Sequence, residues 1–582
     1  MKRLIISGVL TAILFPLTLS AQKVQVEEYV LQNGMTFLLV PRRGDPNVAC
    51  GWIAKVGSVN ERPGITGISH LFEHMMFKGT HAIGTRDIEQ DLRIISRLEK
   101  VKSRLMNEEK QMIRRLRLGE IENLTGPDNK TVEHKKLLEE FNGLLSAQKE
   151  LLIKNEFDRI YTTAGASQMN AGTSQDFTIY YINVPANKLE LWFWMESDRL
   201  SNPVFREFYS ERDVVREERR LRTESTPTGR FREEFNSLFW TAHPYSWPVI
   251  GWPSDLEGIT RQEALDYFSV NYAPNNLAAC LVGDFDSQEA RKLAEKYFGT
   301  LKRSAVLQPS VRTREVEQMA EKRMIAYAET NPEVEIRYHT VADGHRDDAA
   351  LTVVGVVLSG RTGRLYKALV DDQKLANQAS AVQDSGKWAG SFAITGIAKP
   401  GHTPEELEQA IYRELDRLRK NPLEDRELQK IKNRFSANEF RRMENNFSLM
   451  FQLLIAENNR GWKTFNTDPA RIQAVTSDDI LQVMGKYFKR ENRTVGIYYT
   501  KEIKDKESEA LDPLLAKLSR QERAALQPIL VNLEKTSGEK IREQLVQMNQ
   551  AQKEVPEEKQ RMLEALKSLL ERRLKELEER EK

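Results

Sequence analysis

The residues of this chain best suited to chemistry are His70, Glu73 and His74, in the stretch HLFEH. They lie in a predicted helix bounded by Gly64 and Gly79. A spacing of four residues places both imidazoles on one helix face, with Glu73 close to it. Two neutral imidazoles and a further carboxylate are ligands of a catalytic zinc that keeps one position open for water, and a nearby carboxylate can take that water's proton. The bland alternative is two histidines that simply share a helix face.

A zinc site of this kind needs a third ligand, and two glutamates on a later predicted helix are candidates. Glu211 and Glu218 are seven residues apart, or two helical turns, and therefore share a face, whereas Glu217 points elsewhere. The surrounding segment, SERDVVREE, is highly charged. A charged run is more often a solvated helix face, so residue types alone leave both interpretations open.

The N-terminus predicts export. Lys2 and Arg3 precede an apolar stretch over residues 4–19, and small residues follow it, which is the pattern of a secretory signal peptide over residues 1–21. No second long apolar run follows, so we expect no membrane span after signal cleavage and a periplasmic location. The formal charge of +2, from 87 basic and 85 acidic residues, argues against a nucleic-acid partner.

The two cysteines, Cys50 and Cys280, lie in apolar, strand-like runs. Short apolar strands usually bury their cysteines, so two free thiols are the favoured interpretation. A disulfide in an exported protein is the alternative.

Patterning divides the chain into two globular regions and a charged helical tail. We predict an N-terminal domain over residues 22–299, a linker over 300–310, a second domain over 311–500 and a tail over 501–582. Two long charged stretches within residues 88–155, joined by a turn-rich segment, predict an inserted antiparallel helical hairpin with coiled-coil packing. Its apolar positions recur every seven residues, at Leu98, Leu105 and Met112 in the first arm and at Leu138, Leu145 and Leu152 in the second.

The two globular regions end alike. The stretch from Thr260 aligns without gaps on the stretch from Thr476, at an offset of 476 − 260 = 216 residues that pairs Asn276 with Asn492. Each copy is predicted to be a helix, an Asn-containing turn and a strand. Such internal similarity indicates that two related domains make up the body.

The inverted order of the HLFEH motif is the inverzincin signature. Together with the downstream glutamate segment, it resembles the pitrilysin/insulinase family of zinc peptidases. Two further segments are similar to the family, Asn170-Ala171-Gly172-Thr173-Ser174 and His243-Pro244-Tyr245. The resemblance implies an α+β fold in which two similar α/β-roll domains, each a mixed sheet with helices on one face, face each other across a chamber. It also implies a zinc-dependent endopeptidase of extended or unfolded peptides, with one zinc ion per chain.

The resemblance implies a set of site residues. These are His70, His74 and Glu218 as zinc ligands, Glu73 as the general base and Glu211 as a supporting residue. Asn170 and Ala171 would lie along a peptide substrate added as a strand to a sheet edge. A plain strand end with small turn residues is the alternative at that position.

The spacing of the site departs from the family. Glu218 follows His74 by 218 − 74 = 144 residues, more than the family usually has. The hairpin of residues 88–155 accounts for the excess, and because an antiparallel hairpin returns its ends together, the ligands can still meet. The hairpin is either a peripheral decoration or a docking arm or lid.

A second departure concerns mechanism. Active members use an Arg and a Tyr seven residues apart to hold the substrate carbonyl and its oxyanion. The matching positions here are Val370 and Asn377, which cannot do so. The chain therefore resembles the zinc-bearing subunit of bacterial processing-peptidase-like members, and we expect a heterodimer with a related subunit that supplies the Arg and Tyr. The competing interpretation is a non-catalytic assembly or chaperone-like relative.

Overall fold

The structure is a computed structural model that describes residues 23–124, 126–501, 518, 526, 538–551 and 557–580. The predicted signal peptide lies outside the described residues. Residues 23–500 form one compact unit, and the described residues from Lys501 onward form a second. No helix in the described ranges is long and apolar enough to cross a bilayer.

Six strands of the first half form one mixed sheet. They are β1 (Glu27–Val30), β2 (Thr36–Pro41), β3 (Asn47–Ala54), β4 (Ser167–Thr173), β5 (Thr178–Pro185) and β6 (Leu277–Gly283). Their order is β1-β2-β6-β3-β5-β4, in which β2 and β6 run parallel and the other neighbours antiparallel. β4 is therefore an edge strand of this sheet.

Five strands of the second half form another mixed sheet. They are β7 (Lys322–Ala328), β8 (Glu333–Thr340), β9 (Ala376–Ser385), β10 (Gly390–Ala398) and β11 (Arg493–Thr500). Their order is β7-β11-β8-β10-β9, with β7 and β11 parallel. This order and these directions repeat β2-β6-β3-β5-β4 of the first sheet, strand for strand along the chain. The predicted α+β fold with two similar sheets is confirmed.

Helices flank the two sheets. In the first half they are α1 (Ile68–Met75), α2 (Ile88–Arg117), α3 (Val132–Leu151), α4 (Glu156–Thr163), α5 (Leu189–Ser201), α6 (Phe208–Arg219), α7 (Gly229–Phe239), α8 (Pro253–Gly258), α9 (Arg261–Asn271) and α10 (Ser287–Tyr297). In the second half they are α11 (Asp348–Leu358), α12 (Arg364–Tyr366), α13 (Pro404–Lys420), α14 (Asp425–Glu444), α15 (Asn446–Asn459), α16 (Asp468–Ala474) and α17 (Ser477–Tyr487). Two π-helical turns, Arg220–Glu224 and Lys367–Asp372, follow α6 and α12.

The internal similarity extends to side-chain contacts. Thr260 and Thr476 each cap the start of a helix, α9 and α17, in a reciprocal capping box. The amides of Asn276 and Asn492 each donate to a carbonyl five residues earlier, over 2.8 and 2.7 Å. A strand follows each turn, β6 in one half and β11 in the other. Both copies therefore use the same local interactions to join the helix to its strand.

A helix of the second half covers one face of the first sheet. Four apolar side chains of α15, Leu449, Met450, Leu453 and Leu454, are fully buried against β2, β3, β5 and β6. The opposite face of that sheet carries the main core of the first half, formed with α1, α5, α9 and α10. Burial of apolar surface thus joins the two halves into one unit.

Both cysteines are buried free thiols on neighbouring strands of this sheet. Cys50 on β3 lies opposite Leu281 on β6, so Cys280 is one position out of register with it. Because alternate residues of a strand face opposite sides, the two thiols belong to different cores. The preference for free thiols over a disulfide agrees with this geometry.

The inserted segment contains two long helices, α2 and α3, which lie antiparallel. Contacts of Arg104 with Glu133 and of Gln148 with Asp91 pair the two arms in opposite directions. The α2 stripe is buried as its spacing predicts. In α3 the buried stripe lies one position earlier than the predicted leucines, at His134, Leu137, Phe141, Leu144 and Gln148.

The tail unit contains two described helices, α18 (Gly538–Ala551) and α19 (Glu557–Arg580), which contact each other. Ala565 and Leu570 of α19 are buried, as is Ile541 of α18.

Candidate metal centre

The candidate metal-binding face is presented by α1, whose first turn is fixed by its surroundings. Gly67 precedes the helix with φ of 87°, and a Cβ at that position would lie 2.5 Å from the carbonyl oxygen of Ile250. The carboxylate of Glu61 accepts the N–H groups of Gly67 and Ser69, each over 2.8 Å. These N–H groups would otherwise be unpaired at the helix start. The orientation of the following turn is therefore set from two sides.

Helix α6 brings Glu218 to the two histidines of α1. The Nε2 atoms of His70 and His74 lie 3.8 and 3.2 Å from the two carboxylate oxygens of Glu218. Ligand atoms of all three residues lie within 4.8 Å of one another, and the two imidazole centroids are 5.0 Å apart. Two imidazole nitrogens and one carboxylate oxygen that converge in this way fit a catalytic zinc ion.

The surroundings shift the pKa values of the two histidines in opposite directions. Burial lowers the pKa of His70 to about 3, and the nearby His74 and Arg222 add to the effect. The His70 ring is therefore neutral at neutral pH, and its lone pair is available to a metal. The pKa of His74 is raised, because the hydrogen bond to Glu211 and the charge of Glu218 outweigh its burial. A metal cation must therefore compete with a proton at His74, which makes metal binding pH-dependent.

Glu211 supports His74 from the far side of its ring. Its Oε2 lies 3.5 Å from His74 Nδ1, and its Oε1 bonds the ammonium of Lys78. Burial opposes ionisation of this carboxylate, but the hydrogen bonds from His74 and Lys78 leave its pKa lowered. A carboxylate in this position selects the tautomer that leaves Nε2 free for a metal. Glu217, by contrast, is exposed and pairs with Arg220.

Glu73 lies beside the ligand cluster and is tied to the edge strand. The hydroxyl of Thr173, the last residue of β4, donates to Glu73 Oε2 over 2.7 Å. Burial raises the pKa of Glu73, although the Thr173 hydrogen bond opposes the shift. A raised pKa makes a carboxylate a stronger base towards a water molecule near neutral pH. Thr173 therefore orients the candidate base and links it to the sheet.

Asn170 and Ala171 lie in the middle of β4. They pair with Tyr181 and Tyr180 of β5 on one side, and the other side of β4 is the edge of the sheet. The register shifts between Ser167 and Asn170, where the chain bulges. An edge strand of this kind has backbone groups available to a further strand.

Val370 and Asn377 lie in the part of the second half that corresponds to the region of β4 in the first half. Val370 is in the π-helical turn that precedes β9, and Asn377 is an exposed residue of β9. β9 occupies the sheet position that β4 has in the first half. Neither side chain carries a guanidinium or a phenol.

Three residues of the site were missed in the sequence. Arg222 contacts Glu218 Oε1 over 2.6 Å, and its spacing of four residues on a helix could have predicted the contact. Thr173 lies in a recognised segment, but nothing in the sequence indicated its bond to Glu73. The contact of Glu61 depends on a loop conformation, so residue spacing carried no signal for it.

Comparison with known proteins shows which class and which family the chain resembles. A model of Insulinase (Peptidase family M16) matches residues 37–96, and a model of the Peptidase M16 inactive domain matches residues 258–435. The fold and these matches define a peptidase-like protein with two α/β halves. In both stretches the chain is similar to the insulinase family, M16, which confirms the predicted resemblance.

Relatives and solved structures agree with this assignment. The zinc protease PqqE of Helicobacter pylori is 25% identical over 480 residues, which are 80% of this chain and 91% of the relative. The crystal structure of a protease from Helicobacter pylori has a TM-score of 0.66 at 24% identity, over 81% of this chain and 99% of that chain. The periplasmic protease PqqL from Escherichia coli has a TM-score of 0.60 at 15% identity, over 88% of this chain and 50% of that chain.

Proposed function

We propose that the chain is a zinc-dependent endopeptidase that cleaves extended or unfolded peptides. The observation that carries the proposal is the convergence of His70, His74 and Glu218 with Glu73 beside them. These groups come from helices separated by a long insertion, yet they form the donor set and base of a zinc hydrolase. The similarity to proteins named zinc proteases supports the same metal.

The chain's own residues would have distinct roles. His70, His74 and Glu218 would hold one zinc ion, which when bound would supply an acidified water. Glu73 would be the proton acceptor beside it, and Thr173 holds the accepting carboxylate in place. Glu211 orients His74. Each role uses a contact described above.

The peptide would bind as an added strand along β4. Asn170 and Ala171 are then beside the substrate backbone, and Thr173 connects that strand to Glu73. Recognition through the backbone reads sequence weakly. This mode suits a broad set of unfolded polypeptides better than one defined cleavage motif.

The active form would be a heterodimer. Val370 and Asn377 supply neither the cation nor the phenol that stabilise a developing oxyanion, so a related subunit would contribute an Arg and a Tyr. We further propose two domains over residues 22–299 and 311–500, an export signal over residues 1–21 and a periplasmic location. Similarity to a protein described as a periplasmic protease supports the location.

A non-catalytic relative of the fold is the second candidate. The matched model of residues 258–435 is described as an inactive domain, and Val370 and Asn377 lie within it. That model begins at Gly258, near the end of the first half, however, and the candidate ligands and base at residues 70–218 lie outside it. A chain that had lost catalysis would have no need to keep Glu73 in contact with Thr173 beside three converging ligands.

Metal content and cleavage separate the two candidates. The mature chain should contain one zinc per molecule, and His70→Ala or Glu218→Ala should remove it. Glu73→Gln should keep the zinc and abolish cleavage of an unfolded reporter peptide, measured with and without a related subunit co-purified from the source cell. A wild-type chain without zinc, or a Glu73→Gln variant that cleaves normally, would refute the proposal.

A further inference from the structure

Arg206 is the most enclosed cation near the candidate metal centre. Its side chain is 1% exposed, and its guanidinium donates to three backbone carbonyls of the loop that follows α1. The acceptors, each at 2.8 Å, are the carbonyl oxygens of Lys78, Thr80 and Ile83. One side chain therefore determines the path of this loop.

The local backbone is built around this side chain. Gly79 and Gly84 have φ of 84° and 103°, and a Cβ on either would lie 2.6 or 2.8 Å from Arg206 Nη1. Phe205 and Glu207, on either side of Arg206, have φ of 50° and 58°. The left-handed region costs a residue other than glycine about 1 kcal/mol or more. Both residues that flank Arg206 therefore adopt a strained backbone conformation. This strain accompanies the inward direction of the Arg206 side chain.

The charge of Arg206 is neutralised by the inserted hairpin. Asp91, in the first turn of α2, is fully buried, and its Oδ2 accepts from Arg206 Nε over 2.8 Å. Its Oδ1 accepts from the amide of Gln148 near the end of α3, also over 2.8 Å. One carboxylate thus joins both arms of the hairpin to Arg206. A buried guanidinium needs such a partner, because an unpaired buried charge is strongly destabilising.

The same loop reaches the candidate ligands from both sides. The loop carbonyls that Arg206 binds begin at Lys78, three residues after the end of α1. Arg206 itself lies two residues before the start of α6. Lys78 of the loop bonds Glu211 on α6, and Glu211 contacts His74 on α1. The relative position of the two ligand-bearing helices therefore depends on a loop whose shape Arg206 determines.

We infer that Arg206 is a positioning residue of the metal centre, and that the hairpin of residues 88–151 supports it through Asp91 and Gln148. The inference rests on the proposed zinc site. It assigns the insertion a role in metal binding, beyond that of a peripheral decoration. The hairpin completes the centre without supplying a ligand.

The test compares two buried carboxylates that each neutralise an arginine. Asp91→Asn keeps the shape of the residue and removes its charge. Glu408→Gln does the same to the pair of Glu408 with Arg323 in the second half, where the two hydrogen bonds are 2.9 and 2.7 Å and Glu408 is 2% exposed. The dissociation constant for Zn²⁺ is measured by chelator competition, well below the unfolding temperature of every variant.

We expect Asp91→Asn to weaken zinc binding by about tenfold or more, in the range known for residues that orient metal ligands. Glu408→Gln should lower the unfolding temperature without changing zinc affinity. If both variants leave zinc affinity at the wild-type value, or both lower it equally, the inference is overturned. A wild-type chain that binds no zinc overturns the proposed function, and this inference with it.

A double variant guards against misfolding of Asp91→Asn. In Asp91→Leu/Arg206→Met no buried charge remains unpaired, and such replacements are often neutral for stability. The carbonyls of the loop nevertheless lose their donor. We expect this variant to fold and still bind zinc about tenfold more weakly. Recovery of wild-type zinc affinity would show that only charge burial mattered, and would refute a positioning role.

Discussion

Replacing Glu211 with glutamine tests whether the candidate centre depends on more than its three ligands. The substitution keeps the size of a side chain that is 8% exposed and removes its charge. His74 Nδ1 then faces a neutral amide in place of a carboxylate at 3.5 Å. The ammonium of Lys78 loses its nearer carboxylate at the same time and keeps only Glu207, at 3.6 Å. Both changes disfavour a dication beside His74.

The size of the effect follows from this geometry. Loss of an outer partner of a metal-bound histidine costs about 10- to 100-fold in metal affinity, or about 1.4 to 2.7 kcal/mol. The contact of Glu211 with His74 is longer than an ideal hydrogen bond, and Lys78 shares the same carboxylate. We therefore expect the loss of this hydrogen bond to lower the metal affinity by an amount near the lower end of that range. The ammonium of Lys78, left with only the more distant Glu207, adds to this loss. We therefore expect zinc to bind at least about tenfold more weakly to Glu211→Gln.

The assay is competition for Zn²⁺ against a chelator at pH 7.5, with Glu217→Gln as the matched control. Glu217 lies on the same helix and undergoes the same change of charge, but it is exposed and pairs with Arg220. The control should bind zinc like the wild type. At saturating zinc, Glu211→Gln should recover its cleavage rate to within about threefold, because Glu211 orients a ligand and does not contact the reacting water. Equal zinc affinities of wild type and Glu211→Gln would refute the assigned role.

Three further outcomes are expected. Burial lowers the pKa of His243 to about 4, so between pH 6.5 and 4 the unfolded chain binds a proton that the folded chain does not. This proton should account for about 3 kcal/mol of the fall in the free energy of unfolding across this window, so in urea titrations the fall for His243→Asn should be smaller by about that amount. Leu453→Ala should cost about 2–5 kcal/mol, because it opens a cavity beneath the helix that joins the halves, whereas the exposed Val30→Ala should change stability by less than about 0.5 kcal/mol in the same titration. Arg222→Gln should change zinc affinity by less than about threefold, since its side chain is 74% exposed and solvent screens its pair with Glu218; a tenfold loss in chelator competition would contradict this.

Local spacing was enough to predict the parts of the site that lie on single helices. Four residues separate His70 from His74, and seven separate Glu211 from Glu218, so helical geometry alone places each pair on one face. The family resemblance, and not residue spacing, indicated that Glu218 is the carboxylate that meets the two imidazoles. The capping boxes at Thr260 and Thr476 are also contacts between residues three apart, but the alignment predicted only the helix, turn and strand of each copy, and the caps were found in the structure.

Contacts between distant segments could not be predicted in this way. The apolar stripe of α15 is compatible with any sheet face, and nothing in it indicates the first sheet as its partner. In α3 the buried stripe includes a polar residue, Gln148, whose amide donates a hydrogen bond to the buried Asp91. A search for apolar periodicity excludes such a residue, although the buried hydrogen bond makes its burial favourable.

The long insertion between the metal-bearing helices is tolerated for a geometric reason. Thr85 and Leu152 form a bridge, and the N–H of Arg86 donates to the carbonyl of Leu151 over 3.0 Å, so the chain leaves and re-enters the body at one point. The entropy of closing a loop grows only slowly with its length, and this segment closes itself through its own helical contacts. Such an insertion could have been independent of the site. The placement of Asp91 at its base removes that independence, because the same carboxylate that closes the hairpin also neutralises Arg206. We therefore expect deletion of the hairpin to weaken the metal centre. Sequence spacing alone does not show this dependence.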